Sequence, residues 1–287
     1  MATRTINNYL SLIKFSHTIF ALPFAVIGFF LATRHFQYPF EWYKLLLVVL
    51  CMIFARSAAM AFNRYADYRY DAENPRTVIR EIPGGVIRPQ SALVFVVVNC
   101  LLFIATTWFI NPLCFYLSPV ALLVVLGYSY TKRFTALCHF VLGVGLGLAP
   151  IGAFLAVSSK FELLPVLFGF VVLFWVSGFD IIYALQDEEF DKTQGLNSIP
   201  AWLGKQKALY LSDMLHFISA MFVTGAGILA GFGFWYWVAT AIFLGLLFYQ
   251  HTLVSVSDLS RVNLAFFTTN GFASVAFALL VLAELFL

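Results

Sequence analysis

Nine apolar runs dominate this sequence, at 9–33, 44–62, 91–110, 113–128, 136–157, 163–183, 208–230, 232–250 and 264–286. Each approaches the roughly 20 residues that a helix needs to cross the hydrocarbon core of a bilayer. No water reaches backbone N–H and C=O groups there, so only helices or a closed barrel can span it. Barrel strands alternate in polarity, whereas Leu45 to Phe54 is apolar on every face. The reading is an all-α integral membrane protein, with about nine transmembrane helices in a single bundle. Composition agrees: hydrophobic residues make up 62% of the 287 and charged residues 11%, outside the soluble globular range. Neither a soluble domain nor a long linker interrupts the runs, so 1–287 reads as one unit in a lipid bilayer, with no nucleic-acid partner expected. The first run carries Lys14 and His17 and is followed by no small-residue cleavage site, so it reads as a retained span.

Basic residues orient the bundle. With the N-terminus inside, thirteen lysines and arginines fall in cytoplasmic segments, from Arg4 and Lys14 to Arg261. Arg34, Lys44 and Lys160 fall on the other side, and Arg56 lies within a span. This positive-inside bias predicts a multi-pass protein of the cytoplasmic (inner) membrane, with its active-site loops in the cytoplasm. The four cysteines, Cys51, Cys100, Cys114 and Cys138, lie in apolar runs without paired metal-ligand spacing and read as packing residues.

Two acidic clusters stand out on that predicted face. Asn63, Asp67 and Asp71 recur every four residues after the second run, and Asp187 and Asp191 are four apart after the sixth. On a helix, residues at that spacing share a face, so their oxygens converge. Convergent oxygens suit a hard cation, and Mg²⁺ in particular is held by a few carboxylates plus substrate phosphate oxygens. Solvated juxtamembrane charge is the alternative for either cluster alone; two clusters on one side, interleaved with basic residues, favour the metal. Arg56 precedes Asn63 by seven residues and Asp180 precedes Asp187 by seven, which places each roughly 10 Å deeper. Charge at such depth faces a partner or a cavity, so Arg56 and Asp180 either pair with each other or bind something small. Tyr128 and Lys132, also four apart, end the fourth run. Asp213 and His216 on the seventh run read as an interhelical polar contact.

In this combination the chain resembles the UbiA superfamily of intramembrane prenyltransferases. That family's first signature is Asn-Asp-x-x-Asp-x-x-x-Asp, matched by Asn63, Asp67 and Asp71. Its second, Asp-x-x-x-Asp, is matched by Asp187 and Asp191 in "YALQDEEFD", and its Tyr-x-x-x-Lys element by Tyr128 and Lys132. The resemblance spans essentially the whole chain and implies a single prenyltransferase domain around a cytoplasm-facing cavity. It implies Mg²⁺ at the two acidic motifs, and as partners a polyprenyl diphosphate and a small aromatic acid such as 4-hydroxybenzoate, in respiratory quinone synthesis. Phosphate contacts are expected from Arg76, Arg80, Lys132 and Lys192. Arg56 is expected to meet the acceptor's carboxylate, and Asp180 to orient the acceptor or take its proton. Two departures matter: Arg64 stands at the usual second acidic position, and "REIP" from Arg80 replaces the common Arg-Pro-Leu-Pro. "NRYAD" and "REIP" are similar to a 4-hydroxybenzoate-like branch that includes enzymes acting on a dihydroxynaphthoate, so 1,4-dihydroxy-6-naphthoate in menaquinone synthesis is the alternative acceptor. A secondary transporter is the alternative from another class; it would place its polar groups near the midplane between broken helices.

Overall fold

The computed structural model describes residues 8–13 and 20–287, so Arg4, Lys14 and His17 lie outside the described residues. Every regular element among the described residues is helical. They are α1 (Leu22–Phe30, continued by a π turn, Leu31–His35), α2 (Trp42–Glu73), α3 (Pro89–Trp108), α4 (Pro112–Thr131), α5 (Cys138–Ser158) and α6 (Leu163–Ala184). After a 3₁₀ turn at Leu185–Asp187 come α7 (Glu188–Thr193), α8 (Ile199–Leu203), α9 (Lys205–Ala230), α10 (Phe234–Thr252) and α11 (Asn270–Phe286), the last preceded by a π turn at Leu264–Thr269.

Seven of these helical stretches are long and apolar enough to cross a bilayer. The count of about nine adds two. The first is Leu22–His35, the described part of the 9–33 run and too short by itself. The second is α10, whose aromatic, glutamine and histidine content lowers its hydropathy despite its 19 residues.

Helix starts follow local chemistry. Pro89 and Pro112 occupy the first turns of α3 and α4, where a missing N–H costs nothing. Asn111 caps α4 by accepting the Cys114 N–H at 2.8 Å. α2 is the element that matters most for the site. Its predicted span ends at residue 62, yet the helix runs unbroken to Glu73, carrying Asn63, Asp67 and Asp71 on one rod.

The spanning elements contact one another in chain order, α1 through α6 and then α9, α10 and α11, and α11 returns to α1, so the bundle closes on itself. Close approach depends on missing side chains. A Cβ on Gly28 of α1 would come within 2.1 Å of the Pro150 carbonyl oxygen of α5. Gly143 and Gly147, one turn apart on α5, face the Leu173 and Gly169 carbonyls of α6 at 2.5 and 2.7 Å in the same sense. This is how helices associate in lipid, where packing rather than water expulsion drives contact. Phe24, Phe168, Trp175, Phe179, Phe243 and Phe277 fill the adjoining core. These rings serve packing, while others such as Trp42, Trp108, Tyr116 and Phe248 stand exposed on the surface of the bundle.

Candidate active site

At the end of the bundle where α2, α4 and α6 terminate and α5 begins, side chains from all four helices line a polar cavity of about 210 Å³. Five carboxylates face it, Asp67, Asp71, Asp180, Asp187 and Asp191, against three cations, Arg76, Arg80 and Lys132. The surplus of two negative charges would repel a diphosphate unless further cations enter.

Three of the five acids are ion-paired with these cations. Lys132 Nζ lies 2.9 Å from Asp67 Oδ2, and Asn63 Nδ2 donates to the same oxygen at 3.3 Å. Arg80 Nη1 donates to Asp71 Oδ1 at 2.6 Å. Arg76 forks onto both oxygens of Asp187, with Nε to Oδ1 at 3.0 Å, while its Nη1 donates to the Tyr183 hydroxyl at 2.8 Å. Burial alone would lower the Arg76 pKa, but the hydrogen bond and charge of Asp187 outweigh it and hold the guanidinium above its ordinary value. Such forks fix both planes, which a lysine ammonium cannot do.

Two carboxylate oxygens on α2 lack hydrogen bonds. Asp67 Oδ1 and Asp71 Oδ2 are buried and accept none, although the former is ion-paired with Arg133 Nη2 at 3.5 Å. Buried anionic oxygens without donors are costly, and a hard cation supplies what they lack. Among the described residues no three acids, histidines or cysteines already converge on one point. The donor set fits Mg²⁺, which commonly keeps water and phosphate oxygens in its shell rather than an all-protein cage.

The second motif differs from its helical expectation. α6 stops at Ala184, and the 3₁₀ turn makes Asp187 the residue that caps α7, so Asp187 and Asp191 do not share one continuous helix. The turn keeps Leu185 buried in the core while Asp187 meets Arg76 and Asn74.

A second cavity of about 350 Å³, almost wholly apolar, lies alongside; Val48, Met52, Leu117, Val124 and Leu146 are among its walls. Tyr128 and Leu142 border both cavities. Arg56 lines the apolar one, with its Nε buried and unpartnered. It does not pair with Asp180, whose Oδ2 instead meets His139 Nδ1 at 2.7 Å.

The structure thus gathers Asn63, Asp67, Asp71, Arg76, Arg80, Tyr128, Lys132, Asp180, Asp187 and Asp191 around one cavity, with Arg56 next door. Lys192 is not among them. Its α7 position turns it outward to Glu188 at 2.6 Å, with half of its side chain exposed, because one residue along the helix rotates it about 100° from the inward face of Asp191. Residues that the spacing rules missed include Asn74, Tyr183, Ser198 and His139, all lining the polar cavity. Tyr183 precedes Asp187 by one helical turn, a signal the sequence did carry; His139 at the head of an apolar run carried none. Arg64, one residue beyond Asn63 on α2, is buried, with its Nε unpartnered.

The sequence profile of the UbiA prenyltransferase family matches residues 21–278. Over 242 residues the chain is 32% identical to a 4-hydroxybenzoate octaprenyltransferase of Nitrosomonas europaea, covering 84% of this chain and 82% of that one. It is 30% identical over 238 residues to the protein of the same name from Saccharophagus degradans, covering 83% and 79%. Among solved structures, a UbiA homolog from Aeropyrum pernix K1 superposes with a TM-score of 0.80 at 30% identity, covering 93% of this chain and 96% of that one. A UbiA homolog from Archaeoglobus fulgidus, bound to GPP and Mg²⁺, superposes with a TM-score of 0.76 at 19% identity over 98% and 100%; this second likeness is one of fold.

Proposed function

This chain belongs to the UbiA prenyltransferase family, and on that premise we propose that it transfers a polyprenyl group from a polyprenyl diphosphate to a small aromatic acid of the 4-hydroxybenzoate type, with Mg²⁺, in respiratory quinone synthesis. One observation carries the reading: a charged cavity and an apolar one meet at Tyr128, with the unpaired Arg56 guanidinium beside the junction. A molecule with an anionic head and a hydrocarbon tail matches the pair of cavities, and an acceptor with a carboxylate matches Arg56. The basic residues of the loops support a location in the cytoplasmic membrane with the polar cavity on the cytoplasmic side. The continuous contact of the helices in chain order supports one transmembrane domain over 1–287.

In this reading the diphosphate sits among Arg76, Arg80 and Lys132, while Asn63, Asp67 and Asp71 would hold one Mg²⁺ and Asp187 and Asp191 another. When bound, the metal supplies positive charge that neutralises the leaving diphosphate. The prenyl chain lies along Val48, Met52 and Leu146. Arg56 fixes the acceptor carboxylate, so that the carbon beside the ring hydroxyl faces the allylic carbon at the junction. The C–O bond breaks with its electron pair going to the diphosphate, and the ring carbon bonds to the allylic carbon. Asp180, lining the same cavity, takes the ring proton. The apolar walls exclude the water that would otherwise trap the cation.

The test is transfer by the purified protein in liposomes with Mg²⁺, a polyprenyl diphosphate, and either 4-hydroxybenzoate or 1,4-dihydroxy-6-naphthoate. Metal-dependent product with 4-hydroxybenzoate supports the proposal. Product with the naphthoate alone moves the acceptor to menaquinone synthesis, and no product with either overturns the aromatic acceptor.

A further inference from the structure

His139, the second residue of α5, is buried to 3% exposure and belongs to none of the motifs. Its surroundings fix its proton. The Ile199 N–H, which can only donate, points at Nε2 from 3.3 Å. The ring proton therefore resides on Nδ1 and is donated to Asp180 Oδ2 at 2.7 Å. The His139 carbonyl accepts the Ser177 hydroxyl of α6 at 3.2 Å. One and two turns further along the same face of α5, Gly143 and Gly147 lock the helix against α6. Both partners are thus held in register by packing.

Asp180 is held asymmetrically. Oδ2 accepts from His139, whereas Oδ1 has no hydrogen-bond partner among the described residues, and the side chain keeps 23% exposure where it lines the polar cavity. With Nδ1 turned to Asp180 and Nε2 to the Ile199 N–H, both ring nitrogens are engaged by the protein. The part of the imidazole is orientation.

We propose that His139 is a positioning residue that holds Asp180, where it lines the polar cavity, with Oδ1 free to take the proton released by the acceptor ring. The inference rests on the aromatic-transfer reading above. Once the new C–C bond has formed, the ring C–H bond breaks, its electron pair restores aromaticity, and the proton passes to Asp180 Oδ1. It then leaves to water as the diphosphate departs. Without His139 the carboxylate can rotate, and misplacement of a catalytic group by about 1 Å costs on the order of 10²-fold in rate.

The experiment compares unlabelled acceptor with acceptor deuterated beside the ring hydroxyl, in the intact protein and in His139→Phe, His139→Asn and Asp180→Asn. Proton loss is fast in the intact protein, so no isotope effect on kcat is expected. His139→Phe should turn over about 10²-fold more slowly, show a primary isotope effect, and bind the aromatic acid unchanged. His139→Asn, whose amide N–H can reach the same oxygen, should recover rate and lose the isotope effect. A slow His139→Phe without an isotope effect, or Phe and Asn variants equally impaired, overturns the role of His139. If His139→Phe does not fold, Asp180→Asn decides: a variant that turns over without an isotope effect overturns the assignment. Failure of the intact protein to prenylate any aromatic acceptor, by contrast, overturns the reading beneath it.

Discussion

The polar cavity can be compared with the chain of His216, His251 and Asp213 across α9 and α10, since both put polar groups inside a bundle built of hydrocarbon. In the second cluster every imidazole nitrogen has a partner. His216 Nε2 donates to the Trp175 carbonyl at 3.1 Å, His216 Nδ1 meets His251 Nε2 at 2.7 Å, and His251 Nδ1 meets Asp213 Oδ1 at 2.8 Å. Gly178 makes room for the first ring, since a Cβ there would lie 2.4 Å from it. Asp213 and His216, which the sequence placed together, are joined only through His251. In and beside the first cluster, Asp67 Oδ1, Asp71 Oδ2 and Arg56 Nε make no hydrogen bond, and only the first has an ion pair, with Arg133 at 3.5 Å. Saturated networks add rigidity, whereas buried groups with unmet valence are tolerated where a ligand completes them. Satisfaction, rather than polarity or burial, separates the structural cluster from the candidate site.

The contrast can be broken most directly at the acids. Asp67→Asn and Asp187→Asn should each lower prenyl transfer by about 10²-fold or more, the scale of losing one transition-state electrostatic contact, with thermal unfolding little changed. Chelation of Mg²⁺ should abolish transfer reversibly, again without unfolding. Variants or chelation that lost stability before activity would make the cavity resemble the histidine cluster.

Arg56→Ala should weaken binding of the aromatic acid by about 10- to 100-fold, the range for hydrogen bonds to a charged group. Because it deletes a buried charge with no partner, it should leave stability unchanged or raised. Isothermal titration and a melting curve on one preparation check both signs.

The reverse pattern is expected at His216→Leu: a loss of about 1 kcal/mol of stability, read as a lower melting temperature, with turnover per folded molecule retained. The smallest effect belongs to Lys192→Ala. Its exposed pair with Glu188 is worth little, so stability should stay within about 0.5 kcal/mol and KM for the diphosphate should not move; a raised KM would bring Lys192 back among the phosphate contacts.

Much of the site was legible beforehand because α2 continues as one helix to Glu73, so a four-residue spacing does mean a shared face for Asn63, Asp67 and Asp71. The same reasoning misplaced Lys192 and straightened the Asp187 motif, because a 3₁₀ turn changes the rotation per residue just where the chain leaves α6. His139 was invisible, since a lone histidine has no period.

By itself the sequence determined the spans, their helical character and the chemistry gathered at one end. Length and hydropathy suffice for that, because lipid forces the backbone to satisfy itself within each segment. Only the tertiary structure decided which charge meets which. Arg76 reaches Asp187 across 111 residues, and His139 reaches Asp180 across 41. Those pairings depend on how closely helices approach, through contacts such as Gly28 on Pro150 and Gly147 on Gly169, and a contact between distant segments has no periodicity in either of them.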